Sequence, residues 1–152
     1  MKIIPILAVS LFVAAGAGAL YLNSTRQAQA PAHVMTPLDM TGLKKGDPIV
    51  KVKLPATLDK QAQMGKRAFD AVCAACHGKN AAGRYGFGPT FISRIYESSH
   101  HGNEAFVRAA QNGVISHHWP FGNMPPQKGL TRADLLNIVA YVRSLQKANG
   151  IN

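Results

Sequence analysis

"GKRAFDAVCAACH", residues 65–77, contains both cysteines of a chain of 152 residues. Gly65, Ala68, Phe69, Val72, Cys73 and Cys76 fall at offsets 0, 3, 4, 7, 8 and 11, which is one face of an α-helix. The polar side chains Lys60, Gln61, Gln63, Lys66, Arg67 and Asp70 fall off that face. The spacing therefore predicts a helix over residues 58–77 with a single buried stripe. The stretch that follows, "HGKNAAGRYGFGPTF" from His77 to Phe91, has too many glycines to continue it and reads as a loop.

The cysteines sit three apart, with histidine next: Cys73-Ala-Ala-Cys76-His77. This is the C-x-x-C-H signature of c-type haem attachment. On one helical turn the two sulfurs point the same way and can form thioethers to the two vinyl groups on one porphyrin edge. His77 then lies beneath the ring, where its imidazole can bind iron. Two other chemistries use C-x-x-C. A redox disulfide needs a thioredoxin-like βαβ setting, which is missing here. A zinc site needs further ligands. His100, His101, His117 and His118 are on hand, but not at zinc-ligand spacing.

Working outward, a second helix is expected to start with Asn103 as its N-cap, run through "EAFVRAAQN" and end at Gly113. "VISHHWPFGNMPPQKGL", residues 114–130, is broken by prolines and reads as irregular. "TRADLLNIVAYVRSLQ" reads as a final helix, with Thr131 as cap, Asp134 at the third helical position, and Leu135, Ile138, Val139, Val142 and Leu145 facing the core. Nothing suggests a sheet, so the fold class is all-α. The core of three modest helices is small, and a large apolar ligand at its centre would stabilise it considerably.

At the other end, Lys2 precedes an uncharged, mostly apolar run from Ile3 to Leu22. Residues 1–30 are read as a signal peptide or an uncleaved membrane anchor. Residues 31–57 are read as a flexible tether, within which "IVKVKL" (Ile49 to Leu54) alternates and suits an extended strip against the domain. Residues 58–152 form the domain. Location follows from the leader: the periplasmic side of a bacterial inner membrane, tethered if residues 3–22 are kept and soluble if they are cleaved.

The chain has 17 Lys+Arg and 7 Asp+Glu, a net charge of +10. Setting aside residues 1–30 removes Lys2 and Arg26 and leaves 15 basic residues against 7 acidic, a net of +8. Such a balance favours an acidic partner, whether nucleic acid, an anionic membrane surface or an acidic protein face, and the charge alone does not choose among them. With no dense Lys/Arg cluster and no zinc-finger spacing, nucleic acid is not among the expected partners.

From about Asp59 to Gln146 the chain resembles the class I, mitochondrial-type, monohaem cytochromes c. Gly65 and Phe69 lie eight and four residues before Cys73, as in that family's first helix. Tyr141, in "NIVAYVRSL", takes the place of the last-helix aromatic that crosses the Gly/Phe pair. Pro89, in "GPTF", stands where the family has a proline whose carbonyl accepts a hydrogen bond from the haem histidine. Met124, in "FGNMPP", lies in the loop of the sixth iron ligand.

The resemblance implies three to five helices wrapped around one haem c, with His77 and Met124 as axial ligands. His117 and His118 compete with Met124 for the sixth position. Arg84, Tyr85 and Trp119 are candidate donors to the haem propionates. Gly83, Gly86 and Gly88 read equally as plain loop glycines, Gly83 above all. Lys79 and Lys128 are candidates for a basic rim around an exposed haem edge. The function implied is single-electron transfer between periplasmic or membrane redox proteins, not catalysis. Two other roles stay open: a haem c subunit of a membrane oxidoreductase complex, and a haem-based sensor or ligand binder.

Overall fold

The computed structural model describes residues 38–151, together with Gly18. The leader, and the tether up to residue 37, therefore lie outside the described residues. Among those described there is no strand, and no helix is long and apolar enough to cross a membrane.

The first helix, α1, spans Lys60–Ala68 and is capped by the Asp59 side chain, which accepts from the Ala62 N–H at 2.7 Å. It continues through a π turn at Phe69–Cys73 into α2, Ala74–His77. A 3₁₀ turn follows at Lys79–Ala81 and another at Arg94–Tyr96. α3 is Asn103–Asn112 and α4 is Arg132–Ala148. Thr131 caps α4 in a full capping box with Asp134, as its sequence predicts.

α1 packs across α4, and this crossing builds the core. Gly65 sits at the contact: a Cβ added there would lie 1.8 Å from the Asn137 carbonyl oxygen. Only a residue without a side chain lets the two backbones approach so closely. Phe69 and Tyr141 meet edge to face one turn further on, with ring centroids 5.6 Å apart. All five residues expected to form the inner face of α4 are buried, along with Tyr141 and Gln146.

Four expectations need correction. First, the helix over 58–77 is not uniform. In the π turn the Ala74 N–H reaches back five residues to the Phe69 carbonyl. The extra residue turns everything downstream by about 100°. Ala74, which α-helical spacing leaves off the stripe, packs on the core. Second, the N-cap of α3 is Gly102 and not Asn103. The Asn103 side chain accepts instead from Arg143 Nε at 3.0 Å.

Third, Gly83 is not a plain loop glycine. It is buried with φ +76, and a Cβ there would meet the Thr90 nitrogen at 2.6 Å. Fourth, the tether is shorter than residues 31–57: the strip expected at Ile49–Leu54 lies against the domain, and the contact reaches back to Gly46. The Gly46 N–H donates to Tyr85 O, the Tyr85 N–H to Asp47 O, and the Val50 N–H to Ala82 O, at 2.9, 2.8 and 3.1 Å. Lys53 and the Asn149 side chain exchange two further bonds, at 2.9 and 2.8 Å. Ile49 is buried, and Val50 and Val52 pack on the core. The glycine loop has backbone groups that no helix satisfies, and this strip supplies their partners. The domain therefore begins before residue 46, not at 58.

Candidate haem-attachment site

α2 ends with His77, which is 7% exposed. Its Nδ1–H donates to the Pro89 carbonyl at 3.0 Å. Burial holds the imidazole pKa below its usual value, and the Pro89 bond opposes this only in part. The ring is therefore neutral at pH 7, with its proton on Nδ1, and Nε2 keeps a free lone pair. Such an arrangement fixes both the tautomer and the ring orientation of a metal-binding histidine. Phe91 stacks on the imidazole, with centroids 4.3 Å apart.

Cys73 is half-buried, Cys76 is exposed, and neither is in a disulfide. Burial first, and the neighbouring Cys76 second, push the Cys73 thiol up to about 11. Redox-active C-x-x-C pairs have depressed thiol pKa values, the opposite direction to Cys73.

The loop after α3 is closed at its base by a two-residue bridge. The Val114 N–H donates to Met124 O and the Met124 N–H to Val114 O, both at 2.9 Å. Met124 is half-buried. Within the loop Trp119 stacks on Phe121, with centroids 6.0 Å apart, and Phe121 meets Tyr85 edge to face at the same separation. Trp119 Nε1 is the one buried side-chain N or O among the described residues with no hydrogen-bond partner. Burial raises the Tyr96 phenol pKa to about 12, with the Trp119 indole N–H slightly opposing, although the pair falls short of hydrogen-bond geometry. Such a buried donor matches what a haem carboxylate requires.

The match to known proteins decides the family. A family model for cytochrome c, described as "Cytochrome c", fits residues 62–146, more than half of the chain. The chain belongs to the cytochrome c family. No curated protein and no solved structure matches it. As a cytochrome c it carries haem c bound covalently through Cys73 and Cys76, and its chemistry is haem-based electron transfer.

The structure gathers Tyr85 and Trp119 into one aromatic wall around Phe121. The Arg84 guanidinium donates to the Ala75 carbonyl at 2.9 Å and lies over the Phe87 ring, 4.0 Å from its centroid. It thus secures the helix carrying the cysteines. Lys79 and Lys128 are both exposed.

Three contributors have no sequence signal. Phe91 and Tyr96 sit in a loop without periodicity. Gln146 reads as polar yet is 1% exposed, and its side-chain amide donates to the carbonyls of Phe91 and Tyr96 at 2.9 and 3.1 Å.

Proposed function

We infer that this cytochrome c is a single-electron carrier with His77 and Met124 as axial ligands, serving redox partners with acidic faces on the periplasmic side of a membrane. The bound haem supplies the one-electron couple. His77 offers Nε2 from one side, held in place by Pro89 and Phe91. The observation that carries the reading is the double backbone bond of Met124 to Val114. A thioether is a weak ligand, and a loop fastened at that residue limits how far the sulfur can retreat. Trp119 Nε1 and Tyr85 are the donors we assign to the propionates.

The Phe69, Phe91 and Tyr141 cluster keeps water from the His77 side, which favours the reduced, less charged state. The excess of basic residues, with Lys79 and Lys128 exposed, attracts an acidic partner and allows its quick release.

The test is optical. The oxidised wild type should show the weak long-wavelength sulfur-to-iron band, and Met124→Ala should lose it and bind carbon monoxide when reduced. A wild type that lacks the band and binds carbon monoxide readily would overturn the Met124 assignment. Electron-transfer rates with an acidic partner protein should also fall steeply as salt is raised.

A further inference from the structure

Four of the six histidines, His100, His101, His117 and His118, converge on one place although they come from two separate loops. One ring nitrogen each from His101, His117 and His118 lies within 4.8 Å of the other two. The His117 and His118 ring centroids are 4.3 Å apart, and those of His101 and His118 are 5.7 Å apart. His100 stands alongside, 4.8 Å from His101. The ring contacts that lead from this group toward His77 pass through Tyr96 and then Phe91. It is thus a different group from the iron ligand.

We propose that His101, His117 and His118 bind a divalent first-row transition ion, at a site separate from the haem iron.

Three observations carry this. The first is orientation. His101 Nδ1 is bonded to the Ile95 carbonyl at 2.5 Å, and His117 Nδ1 to the Ile115 carbonyl at 2.8 Å. Metal-binding histidines characteristically donate the second ring N–H to a backbone carbonyl, leaving the other nitrogen for the ion. The second is preorganisation. The loop bearing His117 and His118 is closed by the Val114–Met124 bridge, and inside it the Ser116 N–H donates to Asn123 Oδ1 at 2.9 Å and Ser116 Oγ to Trp119 O at 2.5 Å. On the opposite side, Arg143 ties the His101 backbone to α4. It bonds the carbonyls of His101 and Tyr96 and the side chains of Asn103 and Gln146.

The third is the donor set. Three imidazoles without a carboxylate suit zinc, copper or nickel, not calcium or magnesium. A tetrahedral ion with metal–nitrogen bonds of about 2.0–2.1 Å sets its nitrogens about 3.4 Å apart. The three nitrogens, within 4.8 Å of one another, would have to draw closer to reach that spacing. The Arg143 charge works against a cation, but its guanidinium is occupied by its four partners.

The full haem-loaded chain would be titrated with Zn²⁺ against a chromophoric chelator, and with Cu²⁺ by electron paramagnetic resonance. One ion per chain is expected, with nitrogen hyperfine structure from imidazoles. His118→Gln should weaken binding at least about tenfold, and His117→Gln with His118→Gln should abolish it. Both residues are exposed, so the fold should persist, and an unchanged haem spectrum will show it. His33→Gln should leave binding intact. The proposal fails if Zn²⁺ binds the double variant as tightly as wild type, if no ion binds at about millimolar concentration, or if His33→Gln removes the binding. It also fails if His118→Gln changes the iron's ligand-field spectrum, because that histidine would then serve the haem.

Discussion

The two residues proposed as iron ligands are built into the domain differently. His77 ends α2, which follows α1 through the π turn, and α1 crosses α4. Its ring is buried, bonded to Pro89 and stacked on Phe91. Met124 lies on a loop, half-buried, fastened by one pair of backbone bonds to Val114. The first rests on helix packing spread over many residues, the second on local closure. Disturbing the core should therefore affect the whole domain, whereas disturbing the loop should change ligation and spare the fold.

The largest effect should come from removing the haem attachment. Changing Cys73 and Cys76 together to alanine should abolish covalent haem and, with it, most of the helical circular dichroism, because so small a core depends on its ligand. Retained helicity in that variant would show that the crossing of α1 and α4 stands alone. Next is Gly65→Ala, whose Cβ would run into the Asn137 carbonyl. It should cost about 3 kcal/mol in denaturant unfolding of the haem-loaded protein. Both sides of the iron should become less stable together.

Arg143→Ala removes a half-buried guanidinium with four partners, and about 2 kcal/mol is expected. It should also weaken Zn²⁺ binding at His101 while leaving the sulfur-to-iron band unchanged. If the band is lost too, the two loops are coupled and the contrast drawn above is too sharp. The smallest effect is Thr131→Ala, at the start of α4, which should cost about 1 kcal/mol with no spectral change.

Much of this was legible in the residues. The stripe from Gly65 to Cys73 and the inner face of α4 obey a period that only a helix satisfies, and the capping box marks where α4 begins. Within the helix, however, the same period does not hold throughout, because a π turn at Phe69–Cys73 changes the phase and leaves no composition signal. The strip at residues 46–53 read mainly as tether because its partners lie far along the chain, the backbone of Ala82 and Tyr85 and the Asn149 side chain. Arg84 bonds the Ala75 carbonyl and covers Phe87, two contacts that its place in the sequence does not announce.

By itself, the sequence determined the helices, the thioether pair and His77, since each depends on residues within a few positions of one another. Only the tertiary structure decided which side chains from distant loops would meet. It brought Phe91 onto His77, and Trp119 beside Tyr96 without an accepted bond. It also gathered histidines 16 and 17 positions apart, His101 with His117 and His118, into one cluster. Such meetings depend on how loops close over a packed core, and no periodicity along the chain encodes that closure.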